Sequence, residues 1–154
     1  MAKIAIIMGS ESDREVVNEA LPFLNYFKIE ANIQVMSAHR TPHQVQTFAE
    51  SAEDAGYQVI IACAGMAAHL PGVVAAYTAL PVIGVPLSAG ALNGVDSLYS
   101  IVQMPAGVPV AAMAIGKPGM KNAAIFAAQI IARSDKQVAA LIKKFKQNQC
   151  RIAE

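Results

Sequence analysis

The chain's 154 residues fit one compact domain, for which about 100–200 residues is usual. Lys and Arg number 12 and Asp and Glu 11, a formal net charge of +1 that offers no electrostatic footprint for a nucleic-acid backbone or an anionic membrane. Charged residues are only 15% of the chain, and across the 62 residues from Ala55 to Gly116 the single formal charge is Asp96. Soluble monomers rarely expose apolar surface on that scale, so part of this stretch is expected to be buried against other copies of the chain.

The apolar runs do not read as membrane spans. Val59–Ala62 and Val82–Val85 are strand-length, and Gly65, Pro71, Gly72, Pro81, Gly84 and Pro86 break the sequence around them. Lys3 leads directly into Ile4–Met8, which is too short for a signal-peptide core. Cys63 and Cys150 have no motif spacing and read as two free thiols, as expected in a reducing cytoplasm.

In chain order, Ile4–Met8 is predicted as a buried strand. Asp13 to about Phe27 follows as a helix with Val16, Val17, Ala20, Phe23, Leu24 and Phe27 at helical spacing and Pro22 as an interior kink. Ile33–Met36 is a second strand, and Pro42 to about Ala55 a helix closed by Gly56 in a left-handed position. Val59–Ala62 forms a third strand, His69–Ala79 a helix, Val82–Val85 a fourth strand and Val95–Val102 a helix. Val108–Ala114 is the fifth strand, and Asn122–Ala132 and Asp135–Gln149 are closing helices. Lys143, Lys144 and Lys146 read as a solvated face of the last of these. Alternating β and α elements imply right-handed crossovers, a parallel sheet of about five strands and a three-layer α/β/α sandwich over residues 1–154. Ligands of such sheets bind beyond the carboxyl ends of the strands, so the loops there hold the candidate chemistry.

The first of these loops is Gly9-Ser10-Glu11-Ser12-Asp13. Ser12 and Glu15 have the spacing of a capping box, and the Ser10 and Ser12 hydroxyls beside a helix start equally suit a phosphate. The loop is neither G-x-G-x-x-G nor G-x-x-x-x-G-K-[ST]. The second loop, Ser37-Ala38-His39-Arg40-Thr41-Pro42, ends in a helix start with Thr41 as cap, Pro42 at the first position and Gln44 as partner. Arg40 is the only formal charge between Glu30 and Glu50, and serves either a surface ion pair or a bidentate grip on an anion. His39 and His43 are four apart, but Pro42 leaves His39 outside the helix, so no metal site is expected. An imidazole titrates near neutrality and suits His39 to acid/base work.

The third loop, Cys63 to Gly72, carries small residues that let backbone approach a planar ligand, and His69, which either caps and packs the next helix or faces the site. No G-x-S-x-G elbow supports hydrolase chemistry. A receiver domain of similar build would end its third strand in aspartate, where this chain has Ala62-Cys63.

With Met8-Gly9-Ser10-Glu11-Ser12-Asp13, Ser37-Ala38-His39-Arg40-Thr41-Pro42, Ala67-Ala68-His69-Leu70-Pro71-Gly72 and Asp96-Ser97-Leu98-Tyr99-Ser100-Ile101-Val102-Gln103-Met104-Pro105 in this order, the chain resembles the class I PurE family over about residues 3–145. These are N5-carboxyaminoimidazole ribonucleotide mutases of purine biosynthesis. The resemblance implies a flavodoxin-like sandwich assembled as a homo-octamer, with the C-terminal helix packing in the oligomer. It further implies transfer of a carboxylate from the exocyclic nitrogen of an aminoimidazole ribonucleotide to ring carbon C4, without ATP, metal or organic cofactor. By motif match, Ser10, Ser12, Asp13, Ser37 and Arg40 would hold the ribose phosphate part and His39 would be the acid/base residue. The Gly65–Leu70 loop, with Gly65, His69 and Leu70, would enclose the base and the migrating carboxylate, His69 sharing the catalytic work. Two positions depart from the family pattern: Met66, where members usually carry a second glycine, and Leu87-Ser88-Ala89-Gly90-Ala91-Leu92, where they carry a Gln-Ser-containing segment. The rival readings are a class II aminoimidazole ribonucleotide carboxylase using free CO2 and a non-catalytic module binding a phosphate ligand or flavin. The absence of Trp and an aromatic share of 6% speak against flavin stacking.

Overall fold

The computed structural model describes residues 1–152; Ala153 and Glu154, the last two positions of the expected domain, lie outside them. Its elements are β1 (Lys3–Met8), a 3₁₀ turn (Glu11–Asp13), α1 (Arg14–Val17), a second 3₁₀ turn (Asn18–Ala20), α2 (Leu21–Tyr26), β2 (Glu30–Val35), α3 (Pro42–Ser51) and β3 (Val59–Gly65). There follow α4 (Leu70–Tyr77), β4 (Val82–Leu87), α5 (Val95–Val102), β5 (Ala111–Ala112), α6 (Lys117–Ile131) and α7 (Lys136–Gln147). The five strands are all parallel in the order β2-β1-β3-β4-β5. Strand order reverses between β1 and β3, and the crevice beyond their carboxyl ends is the switch point at which this topology binds ligands.

Both faces of the sheet are covered, as the unbroken apolar runs require. Ile4, Ile6, Met8, Ile61, Cys63, Ile83 and Val85 pack under Val17, Leu24, Met120, Ala124, Ala127 and Phe145 from the first two helices and the last two. The alternate residues Ala5, Ile7, Ile60 and Ala62 pack against Val45, Ala49, Val74 and Ile101 of α3, α4 and α5. Helix α7 is tied in by Phe145, whose ring meets Phe27 edge-on at 5.5 Å between centroids. Lys143, Lys144 and Lys146 point to solvent, as expected. Among the described residues no helix is long and apolar enough to cross a membrane.

Several expected boundaries shift, each for a local reason. The first long helix is broken at Asn18–Ala20, because Pro22 in the first turn of α2 has no N–H to continue the ladder. Helix α3 stops at Ser51, and turns carry the chain to Gly56, which takes the expected left-handed conformation at φ +82°. Edge strand β2 begins earlier than expected, at Glu30, because Lys3 and Glu30 stand in register at the start of its pairing with β1.

The expected fifth strand, Val108–Ala114, shrinks to Ala111–Ala112. Gly84 and Pro86 turn their carbonyls to this side, accepting from Met113 N (2.9 Å) and Gly116 N (2.8 Å). Pro86 has no N–H to return a bond in the same direction, so the ladder cannot continue. Helix α6 starts at Lys117 rather than Asn122, because Pro118 sits in its first turn.

Gly119 is what allows that early start. A Cβ at this position would lie 1.6 Å from the Ala114 carbonyl oxygen. Gly119→Ala must push α6 off the β5 connection, and its cost is expected to be about 3 kcal/mol. Urea unfolding of the variant beside the parent protein measures it.

Candidate active site

Loops from the carboxyl ends of β1, β2, β3 and β4 surround one cleft of about 290 Å³. All nine side chains or backbone positions singled out in the sequence line it: Ser10, Ser12, Asp13, Ser37, His39, Arg40, Gly65, His69 and Leu70. Ala89, from the loop after β4, also lines it. The rule that ligands meet the carboxyl ends of parallel strands contained the signal for Ala89, but a small apolar side chain carries no chemistry that would single it out.

The β1 loop is stapled differently from its expected pattern. Ser10, not Ser12, is the cap. Its Oγ accepts from Ser12 N (3.3 Å) and Ser12 Oγ (2.8 Å), while Ser10 N donates to Asp13 Oδ2 (3.2 Å). The reciprocal box is therefore Ser10 with Asp13 rather than Ser12 with Glu15, because the chain turns two residues earlier through a 3₁₀ segment. The N–H groups of Ser10, Ser12 and Asp13 are thereby taken up within the turn. An anion here meets the serine hydroxyls rather than the N–H groups of Ser10, Ser12 and Asp13.

The β2 loop is closed by Thr41 in an unexpected way. Its hydroxyl accepts from Ser37 N (3.0 Å) and donates to Ser37 O (3.2 Å), and no side-chain bond reaches the helix it was expected to cap. Ser37 Oγ in turn accepts from Arg40 N (3.2 Å). This closed turn presents His39 and Arg40 on its outer side, both exposed. Among the described residues no carboxylate lies within 4.0 Å of the Arg40 guanidinium, so the surface ion pair is absent and a cation stands free at the cleft.

His69 caps nothing. It stands at the start of α4 without a side-chain bond to the helix, and its Nδ1 lies 2.8 Å from His39 Nε2. The rings meet edge to face, 84° apart. At this separation one nitrogen carries the bridging hydrogen and the other accepts it. The two facing nitrogens therefore take opposite roles at the contact. Among the described residues, His39 Nδ1 and His69 Nε2 make no hydrogen bond to protein. A proton can arrive at or leave from such a free nitrogen, which is the equipment of a reversible acid/base. No group of three or more His, Cys, Asp or Glu side chains is gathered for a metal among the described residues.

Deeper in, burial pushes the Asp13 carboxyl above the ordinary aspartate value, partly offset by the Ser10 N–H. Cys63 lies fully buried at the end of β3, and burial, reinforced by the negative charge of Asp13, drives its thiol far up. Cys63 is thus a packing residue, not a nucleophile.

Residues 3–151 match the AIR carboxylase family. The chain belongs to that family. It is similar to the N5-carboxyaminoimidazole ribonucleotide mutase of Escherichia coli (strain K12), 56% identical over 89% of this chain and 81% of the relative. Its likeness to the mutase of the same name from Saccharolobus solfataricus is 54% identity over 96% of this chain and 92% of the relative. Among solved structures, Treponema denticola PurE superposes with a TM-score of 0.87 at 29% identity, covering 97% of this chain and 92% of that one. The expected flavodoxin-like family fold is therefore the fold observed.

Because Asp13 binds its proton more tightly folded than unfolded, its contribution to stability is full below the ordinary value of 3.8 and is lost as pH rises through the raised one. Asp13→Asn, which removes the half-buried charge, is expected to raise the melting temperature at neutral pH, with the gain shrinking as pH falls toward 3.8. Thermal melts across that range test the sign.

Proposed function

We propose that this chain is an N5-carboxyaminoimidazole ribonucleotide mutase of purine biosynthesis, moving a carboxylate from the exocyclic nitrogen to C4 of the ring. The carrying observation is the His39–His69 pair, 2.8 Å apart, in the cleft that also holds the exposed Arg40. Arg40 grips the phosphate with help from the Ser10, Ser12 and Ser37 hydroxyls, and Asp13 accepts from a ribose hydroxyl. Binding energy at this remote end is spent on placing the ring against His39.

The reaction then needs one proton in and one proton out. The bond from nitrogen to carboxylate breaks, releasing CO2, and His39 protonates the nitrogen. C4 attacks the trapped CO2, and the same imidazole removes the C4 hydrogen, returning to its first state. General acid–base help of this kind is worth about 10²–10⁴-fold. Holding CO2 beside C4 depends on proximity and on exclusion of water, to which the Gly65–Leu70 loop and Ala89 contribute the wall.

The active unit is a homo-oligomer, an octamer by family resemblance, working in the cytoplasm. Val95, Tyr99 and Val102 form one outward face of α5 beside Leu92, with Tyr99 63% and Leu92 61% exposed. An apolar face of this kind supports contact between copies, and by family resemblance α7 packs in the same assembly.

Carbon NMR tests the reaction directly: a labelled carboxylate should pass from nitrogen to C4 with no nucleotide present. Supplying the aminoimidazole with bicarbonate in its place should give no comparable rate, which separates a mutase from a carboxylase. His39→Asn should keep its assembly in sedimentation and its ligand affinity while turnover falls by about 10²-fold or more; normal turnover would remove His39 from its role. Arg40→Ala should weaken substrate binding by about 1.5–3 kcal/mol, roughly ten- to hundredfold, as for a lost charged hydrogen-bonding partner. Titration calorimetry with the product reads that loss.

A further inference from the structure

Met66 occupies an unusual position for its residue type. Its φ of +52° lies in the left-handed region, which L side chains enter at a cost. The other non-glycine residues with positive φ among those described are Lys28, Asn93, Gln149 and Cys150, and of the five only Met66 lines the cleft. Burial does not explain it, because Met66 is 57% exposed.

Its side chain reaches across to the neighbouring loop. A Cβ built on Gly90 would stand 3.3 Å from both the Met66 Cγ and Sδ, so the thioether lies directly over that glycine. One residue earlier, a Cβ on Gly65 would stand 2.8 Å from the Ala89 Cβ. The loops after β3 and β4 therefore meet at two successive positions, Gly65 on Ala89 and Met66 on Gly90. A long unbranched thioether is suited to bridging such an irregular gap.

The other side of Met66 leads to the imidazole pair. The Met66 carbonyl accepts from Ala68 N at 2.8 Å, and the Ala67 carbonyl accepts from His69 N at 2.8 Å. These two consecutive tight turns run from Met66 to the residue whose Nδ1 meets His39. Met66, at its left-handed angle, stands at their start.

We infer that Met66 is a positioning residue: braced on Gly90, it pins the β3–α4 loop to the β4–α5 loop and so holds His69 on His39 and keeps this wall of the cleft shut. The geometric part stands on the contacts alone. The effect on turnover rests on the mutase reading, in which a loose wall lets CO2 leave before C4 captures it. The leak is the first half-reaction without the second: nitrogen-bound carboxylate plus a proton gives the free amine and CO2.

The test compares the parent protein with Met66→Gly, Met66→Leu and Gly90→Ala, each shown by circular dichroism to be folded. Nitrogen NMR of the imidazoles in ligand-free protein reports the bridging hydrogen, and carbon NMR reports how much labelled carboxylate reaches C4 rather than free CO2. Met66→Gly should lose the bridged imidazole signature, lower kcat several-fold with KM little changed, and release label as CO2. Met66→Leu should restore all three, a rescue that a general loss of stability would not give. Gly90→Ala should act in the same direction as Met66→Gly, and serves in its place if that variant does not fold. Unaltered imidazole spectra together with full label retention in either loop variant would overturn the inference. Altered imidazole spectra alongside a parent protein that moves no label to C4 would leave the brace standing and overturn the mutase reading.

Discussion

A parallel sheet buried on both faces forces every connection to return across the sheet before the next strand begins. All strand exits therefore lie on one edge, and where strand order reverses the loops leaving neighbouring strands turn to opposite faces of the sheet and open a crevice between them. Here that point is the gap beyond β1 and β3, with β2 and β4 as outer neighbours. Residues as distant in sequence as Ser10, His39, His69 and Ala89 are brought around one cleft by this requirement alone. No long-range ion pair is needed to gather them. The salt bridges that link Lys117 and Lys121 to Glu15 and Glu19 lie on the outer surface, where such pairs contribute little.

Within the cleft, chemistry is divided by solvation. Cys63 is buried beneath Asp13 and held protonated, so the strongest latent nucleophile of the region is silent. Asp13 spends its carboxylate partly on the turn that contains it. Among the described residues, the groups of the cleft left with free polar valences are the hydroxyls, the second Asp13 oxygen, the Arg40 guanidinium and the outer nitrogens of two imidazoles. Such a set can hold an anion and move single protons, which matches a reaction that forms and breaks bonds to CO2 without an external energy source. The imidazole pair adds a constraint of its own. The contact joins the β2 loop to the start of α4, and separating the two loops breaks it.

Most of the architecture was legible in the chain because it depends on local and repeating signals. Strand-length apolar runs alternating with amphipathic segments specify a covered parallel sheet, and Gly56 takes the left-handed turn that its lack of a Cβ permits, beyond the end of α3 at Ser51. The site loops were legible for the same reason, since strand ends carrying Ser, His and Arg stand out against an apolar background. Where reading failed, a distant partner decided. The ladder of β5 is cut short by Pro86 on the neighbouring strand, and α6 begins early because Gly119 accepts the Ala114 carbonyl against its bare Cα.

Two expected caps, Ser12 and Thr41, take other partners for a similar reason, and of the two readings open for His69 the site-facing one holds. Ser12, Thr41 and His69 all carry side chains capable of closing a helix, and spacing along the chain cannot say which competing partner each will choose. In the folded protein Ser12 is bonded to Ser10, Thr41 to Ser37 and His69 to His39. Composition and periodicity thus indicate the fold class, because it depends on each segment's own preferences, while the motif resemblance points to the family and to most of the residues around the cleft, Ala89 excepted. The pairing of the two imidazoles, the freedom of Arg40 and the seat of Met66 on Gly90 arise only when separate loops meet in space, where the nearest polar or apolar neighbour is chosen by packing and not by sequence distance.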